Sequence, residues 1–237
     1  MYTFKGQTVA VVGGSSGIGA AVAKAFAALG ASVAIASRNG GKLKSAADEI
    51  GAGVRASQLD TTDAAAVARF FRSTGQLDHV VVSAAETAVG SVKKLPLSDA
   101  RAAMESKFWG AYHIACAVDI APGGSLTFVS GFLAVRPNPS AVLQGAINAA
   151  LESLSRGLAL ELSPVRVNTV SPGIVDTPLW AKMDESARNA MYAETAAALP
   201  AKRIGRPEDI ANAVIYLAGT PFTTGSTVLV DGGGAIG

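Results

Sequence analysis

Seven residues near the start of the chain, Gly13-Gly14-Ser15-Ser16-Gly17-Ile18-Gly19, have the types and spacing to hold a diphosphate. They separate a short apolar, β-rich run, Thr8 to Val12, from a stretch with Ile18, Val22, Phe26 and Leu29 at helical spacing. Glycines permit the tight turn and let the backbone approach the phosphates, while amide N–H groups and the dipole at the helix start stabilise their charge. Three glycines alone are not specific; Gly-x-x-x-Gly-x-Gly between strand and helix points to a dinucleotide held by Gly13, Ser15, Ser16, Gly17, Ile18 and Gly19. The plain alternative is a structural turn. A second clue is Ser37-Arg38, which follows the next strand, Ser32 to Ala36. An acidic residue there would bind a ribose 2′-hydroxyl and repel a 2′-phosphate. A hydroxyl beside a guanidinium, which pairs bidentately with phosphate, favours NADP(H) over NAD(H). An exposed surface arginine is the alternative, and Lys42 is a secondary source of charge.

The elements that must position these residues alternate along the chain. Further strands are expected at Val54 to Leu59, His79 to Val82, Leu126 to Val129, Val165 to Val170 and Thr227 to Val230. Helices are expected at 42–50, 63–71, 98–119 and 141–163, and another opens at Pro207 with Glu208 and Asp209 in its first turn. Such alternation predicts a single-domain, Rossmann-like, doubly wound parallel sheet of about seven strands with helices on both faces. No linker interrupts it, so residues 1–237 read as one domain, with 172–200 as a substrate-side loop and helix segment.

Of 237 residues, 49% are hydrophobic, enough for one large core. The 20 basic and 18 acidic side chains are dispersed, so neither nucleic acid nor a membrane surface is an expected partner. The single cysteine, Cys116, excludes an internal disulfide and a cysteine-based metal cluster, and no metal is expected. Its apolar surroundings predict a buried thiol. With no leader-like or membrane-spanning segment, a cytoplasmic protein is expected.

Several segments together resemble the short-chain dehydrogenase/reductase family, across essentially the whole chain. They are the glycine loop, Ser171-Pro172-Gly173-Ile174-Val175-Asp176-Thr177, Arg203-Ile-Gly-Arg-Pro-Glu-Asp-Ile210, Thr224 to Gly233, and the helix from Asn148 to Leu162. The resemblance implies that Asp60-Thr61 meets adenine and that Ser83, Ala84 and Ala85 support the cofactor, although the family's usual turn there is Asn-Asn-Ala-Gly. It implies that Pro172, Gly173, Ile174 and Thr177 lie against the nicotinamide carboxamide and the diphosphate. It also implies a dimer or tetramer built on helices 98–119 and 141–163, and a catalytic role for Ser130, polarising a substrate carbonyl.

The chain departs from the family where proton transfer is done. The family's Tyr-x-x-x-Lys is Gln144 to Asn148 here, and no tyrosine (2, 112, 192, 216) has a lysine four residues on. Gln144 can donate a hydrogen bond but cannot deliver a proton. The family's Asn-x-x-Gly on the preceding helix is Lys107-Phe-Trp-Gly110. Lysine and asparagine are thus exchanged between neighbouring positions, and Lys107 is expected to bring an ammonium to the site from the other helix. A desolvated lysine there would donate a proton or bind an anion; the alternative is a lysine snorkelling to the surface. Glu86 is a rim carboxylate or reaches the nicotinamide side. Substrate selection is expected from Gly131 to Pro139 and from 178–200, where Leu179, Trp180, Met183, Met191 and Tyr192 suggest an apolar or aromatic molecule. The expected activity is therefore NADP(H)-dependent oxidoreduction with a non-standard proton donor, and the alternative is a silent NADP(H)-binding sensor.

Overall fold

The computed structural model describes residues 2–51, 53–86 and 88–237. Seven strands form one parallel sheet: β1 (Thr8–Val12), β2 (Ser32–Ser37), β3 (Arg55–Gln58), β4 (Leu77–Val82), β5 (Ile120–Val129), β6 (Arg166–Pro172) and β7 (Thr227–Val230). Their order is β3-β2-β1-β4-β5-β6-β7, so the chain reverses its direction of travel between β1 and β4. In open sheets of this kind a crevice forms outside the strands' carboxyl ends at that reversal, and ligands bind there.

Strand alternation explains the two layers of core. In β1, Val9 and Val11 pack with Val22, Phe26, Val214 and Leu217, on the face covered by α1 (Gly17–Ala28), α2 (Gly40–Ile50) and α8 (Pro207–Gly219). Ala10 and Val12 pack with Val67, Phe71, Ile114 and Leu151, under α3 (Ala64–Thr74), α5 (Gly110–Ala117) and α6 (Val142–Glu161). A strand covered on both faces needs apolar side chains at every position, which is why these runs do not alternate with polar residues. Phe26 is fully buried and contributes about 1.5–3 kcal/mol.

Four helices are capped by side chains. Asn39 and Asp63 accept backbone N–H groups at 2.9 Å from Lys42 and Ala66, capping α2 and α3. Asp184 caps α7 (Glu185–Ala198), and Asp209 reaches back to the Arg206 N–H at the start of α8. The expected helix over 98–119 is instead α4 (Leu97–Met104), a π turn (Glu105–Trp109) and then α5. The turn holds an extra residue per revolution, which shifts the phase of everything after it. Cys116 corrects the expected buried thiol: it is exposed, because Ala111 and Ile114 take the inward face of α5 and Cys116 lies two residues, roughly 200°, beyond Ile114.

Candidate active site

The glycine loop is pressed against the turn after β4. Gly13 has φ 91°, and a Cβ there would lie 2.5 Å from the Ala84 backbone nitrogen; a Cβ on Gly19 would collide with the Gly13 carbonyl oxygen. The Ser83 N–H donates to the Val12 carbonyl at 2.8 Å, so this turn is stabilised by backbone without the asparagine side chains usual in the resembled family. Ser16 occupies the N-cap of α1 but makes no side-chain cap, and no acidic residue sits in the first turn. Thr177 closes over this helix start, 3.3 Å from where a Gly17 Cβ would be. Pro172 to Thr177 is fixed from behind: the Gly173 N–H donates to the Val230 carbonyl, the Gly205 N–H to the Ile174 carbonyl, and the Asp176 N–H to the Gly205 carbonyl. The structure therefore brings Ser15, Ser16, Gly17, Ile18 and Gly19 together with the β6 loop around an uncapped helix N-terminus, and this arrangement fits a diphosphate.

At the other end of the crevice the residues of β2 separate. Arg38 is exposed and its Nη1 lies 2.7 Å from Glu86 Oε2, so Glu86 faces the Arg38 guanidinium. The Arg38 carbonyl accepts the Gln58 side chain at 2.8 Å. Ser37 Oγ is covered by protein and has no partner among the described residues, which leaves Arg38 as the group presented outward. Asp60 accepts from the Thr62 N–H and hydroxyl; chiefly the backbone bond holds its carboxyl below the usual carboxylate range. Thr61 is buried against Gly110, whose missing side chain permits the approach, and its carbonyl meets His113 Nδ1 at 3.0 Å.

The reaction end is a closed polar network. The π turn points Ser106 and Lys107 inward. Ser106 Oγ accepts the Glu86 N–H at 2.8 Å. Lys107 Nζ donates to Asn148 Oδ1 at 2.6 Å and to the Ser130 carbonyl at 2.7 Å, and the residue is only 7% exposed. The ammonium expected from the other helix is in contact with the expected asparagine. Burial pulls Lys107 down to about 8, partly opposed by the charge of Glu152.

Ser130 differs from its expected placement. Its hydroxyl donates to Glu152 Oε1 at 2.8 Å, behind the strand ends, and Ser171 adds a second hydroxyl to the same oxygen at 3.1 Å. The next residue, Gly131, faces Asn148: a Cβ there would lie 2.7 Å from Nδ2. Glu152 was not singled out in the sequence, because a glutamate on a long helix reads as a solvated side chain. Its spacing of four from Asn148, which puts both on one helix face, was the available signal.

Gln144 is half-buried in the first turn of α6 and makes no side-chain hydrogen bond among the described residues. The tyrosines are occupied elsewhere or face outward. Tyr2 bonds Thr220, Tyr112 and Tyr216 are exposed, and Tyr192 donates to Asp176 at 3.0 Å. Burial first, and the Asp176 bond second, push Tyr192 up to about 12, far from a neutral-pH acid. The segment after β6 is ordered by Trp180, whose indole N–H donates to Val175, and by α7.

Comparison with known proteins identifies the family. The family model described as enoyl-(acyl carrier protein) reductase matches residues 12–234. A short-chain dehydrogenase/reductase, ATR9, of Stachybotrys chlorohalonatus is 36% identical, with 98% of each chain covered. The cyclic-di-GMP-binding biofilm dispersal mediator protein of Escherichia coli is 33% identical, again with 98% of each covered. A small-chain dehydrogenase crystallised in complex with NADPH is 31% identical, covers 98% of this chain and 99% of its own, and superimposes with a TM-score of 0.82. The chain belongs to the short-chain dehydrogenase/reductase family, a family of nicotinamide-dependent oxidoreductases.

Proposed function

We propose that the protein is an NADP(H)-dependent oxidoreductase that interconverts a carbonyl and an alcohol, with Lys107 standing in for the missing phenol. The observation that carries this reading is the buried Lys107 ammonium 2.6 Å from Asn148 and 2.7 Å from the Ser130 carbonyl, at the end of β5 in the same sheet whose β1 leads into the glycine turn. A bound nicotinamide cofactor supplies or accepts the hydride. Gly13, Ser15, Ser16, Gly17, Ile18, Gly19, Pro172, Gly173, Ile174 and Thr177 hold its diphosphate and amide end. Asp60, Thr61, Ser83, Ala84 and Ala85 shape the adenosine side, and Arg38 recognises the 2′-phosphate. The NADPH-bound relative supports that last preference.

An ammonium has three N–H donors, and Lys107 commits two of them to Ser130 and Asn148. The third has no partner among the described residues and is proposed to meet a substrate oxygen or a ribose hydroxyl. With its pKa at about 8, Lys107 gives up a proton far more readily than an ordinary lysine, which suits a general acid near neutral pH. Gln144 adds a hydrogen bond to the same oxygen. Ser130 acts inside the network through its carbonyl. Val135, Val142 and Leu179, all exposed, support an apolar or aromatic substrate bordered by the 131–139 loop and the 172–200 segment. A second copy is the proposed cover for the groove between α5 and α6, lined by Tyr112, Cys116, Leu154, Leu158 and Leu162. No helix among the described residues is long and apolar enough to cross a membrane, and the proposed location is the cytoplasm.

A second reading, a silent NADP(H) sensor, is favoured by how completely the network is satisfied internally and by the relative named for binding a nucleotide second messenger. A panel of aldehydes and ketones followed by NADPH absorbance, beside calorimetric titration with NADPH and NADH, decides between them. Turnover supports the enzyme, binding without turnover supports the sensor, and binding of neither nucleotide overturns both.

A further inference from the structure

We propose that Glu152 is a positioning residue for Lys107, holding it in place as an ammonium through Ser130. The inference deepens the reading of Lys107 as the site's cation. Glu152 is only 7% exposed, in the inward face of α6, and has no direct ion pair among the described residues. A carboxylate removed from water is costly unless opposite charge or hydrogen bonds replace its solvation. Two hydroxyls do part of this, from Ser130 after β5 and Ser171 in β6. Ser130 is also the residue whose carbonyl accepts from Lys107. One residue therefore faces the anion with its hydroxyl and the cation with its carbonyl, and the two buried charges are joined across it.

Helix spacing completes the clamp. Asn148 and Glu152 are four residues apart, so α6 offers an amide oxygen to the ammonium and, one turn on, a carboxylate to the serine behind it. Two hydroxyl donors would be accepted equally well by a neutral amide. The buried cation is what makes a charge useful at position 152. Glu86 and Glu105 beside the π turn, Tyr112, His113 and Cys116 on α5, Arg156 and Glu161 on α6 and Arg166 on β6 are the other titratable side chains on these elements. Burial lowers the proton affinity of Lys107, and the charge of Glu152 raises it.

The test reads Lys107 directly. The full-length protein is labelled with carbon-13 at the lysine ε position, Lys107→Met assigns the resonance, and its shift is followed against pH. The wild-type midpoint is expected at about 8. Glu152→Gln, which keeps an acceptor for both serines, is expected to lower it by about one unit or more. Glu152→Asp, which keeps the charge, is expected to stay within about half a unit of wild type. An unmoved midpoint in Glu152→Gln, with only a lower melting temperature, would mean a merely structural glutamate and overturn the proposal. If Glu152→Gln does not fold, the aspartate variant decides: a midpoint displaced by a unit despite the retained charge overturns it. The titration needs neither substrate nor cofactor. Failure of the proton-donor reading would appear separately, as unchanged turnover in Lys107→Met.

Discussion

The two ends of the crevice are built on opposite rules. At the glycine-turn end α1 starts without a side-chain cap among the described residues, with glycines where side chains would block the backbone. At the reaction end nearly every polar group is answered from within, Lys107 by Asn148 and Ser130, and Ser130 and Ser171 by Glu152. An open end can be filled by a ligand with little rearrangement. A closed end keeps a charge at a fixed place out of water, where it has altered proton affinity.

Variants sharpen this contrast. The largest effect is expected from Lys107→Met, which should lower kcat about 10²- to 10⁴-fold while leaving NADPH affinity within about tenfold, measured by steady-state kinetics and calorimetry. Gly19→Ala should act at the opposite end, weakening NADPH binding by about 100-fold because its Cβ would overlap the Gly13 carbonyl, with circular dichroism as the folding control. The pH dependence follows from Lys107. Burial lowers its proton affinity, so the protonated donor is complete below about 8 and is lost above it. Carbonyl reduction should fall about tenfold per unit above that point, where an ordinary lysine would hold its proton to about 10.4. A flat profile from pH 7 to 10 would remove Lys107 from the proton path.

Smaller effects belong to the adenosine end. Arg38→Ala should weaken NADPH about 10- to 100-fold and leave NADH unchanged, as expected for charge-assisted bonds to a 2′-phosphate. Glu86→Gln frees the guanidinium from an exposed ion pair, and such pairs contribute about 1 kcal/mol at most. NADPH should therefore bind no more than about fivefold tighter. A loss of NADPH affinity in this variant would instead make Glu86 part of the binding surface.

The sheet was legible because its central strands β1, β2 and β4 are short runs rich in apolar residues. The glycine turn was legible because its close approaches are made by backbone, and backbone demands are written locally as residue type. Cys116 was misplaced because it faces the way its helix's phase dictates, and phase depends on what packs where. The π turn illustrates the same point: nothing in Glu105 to Trp109 marks an extra residue in the helix, yet that insertion turns Lys107 inward.

By itself the sequence determined an α/β sheet, and it raised the expectation of a dinucleotide cradle and of a lysine and an asparagine exchanged where the resembled family has its Tyr-x-x-x-Lys pair. Tertiary structure alone decided that Lys107 touches Asn148, that the Ser130 hydroxyl turns toward Glu152, and that Arg38 meets Glu86. The division has a physical basis. Strand, turn and helix-start preferences act over a few neighbouring residues. A contact between side chains 41 positions apart exists only after the sheet has brought two helices and a strand end together.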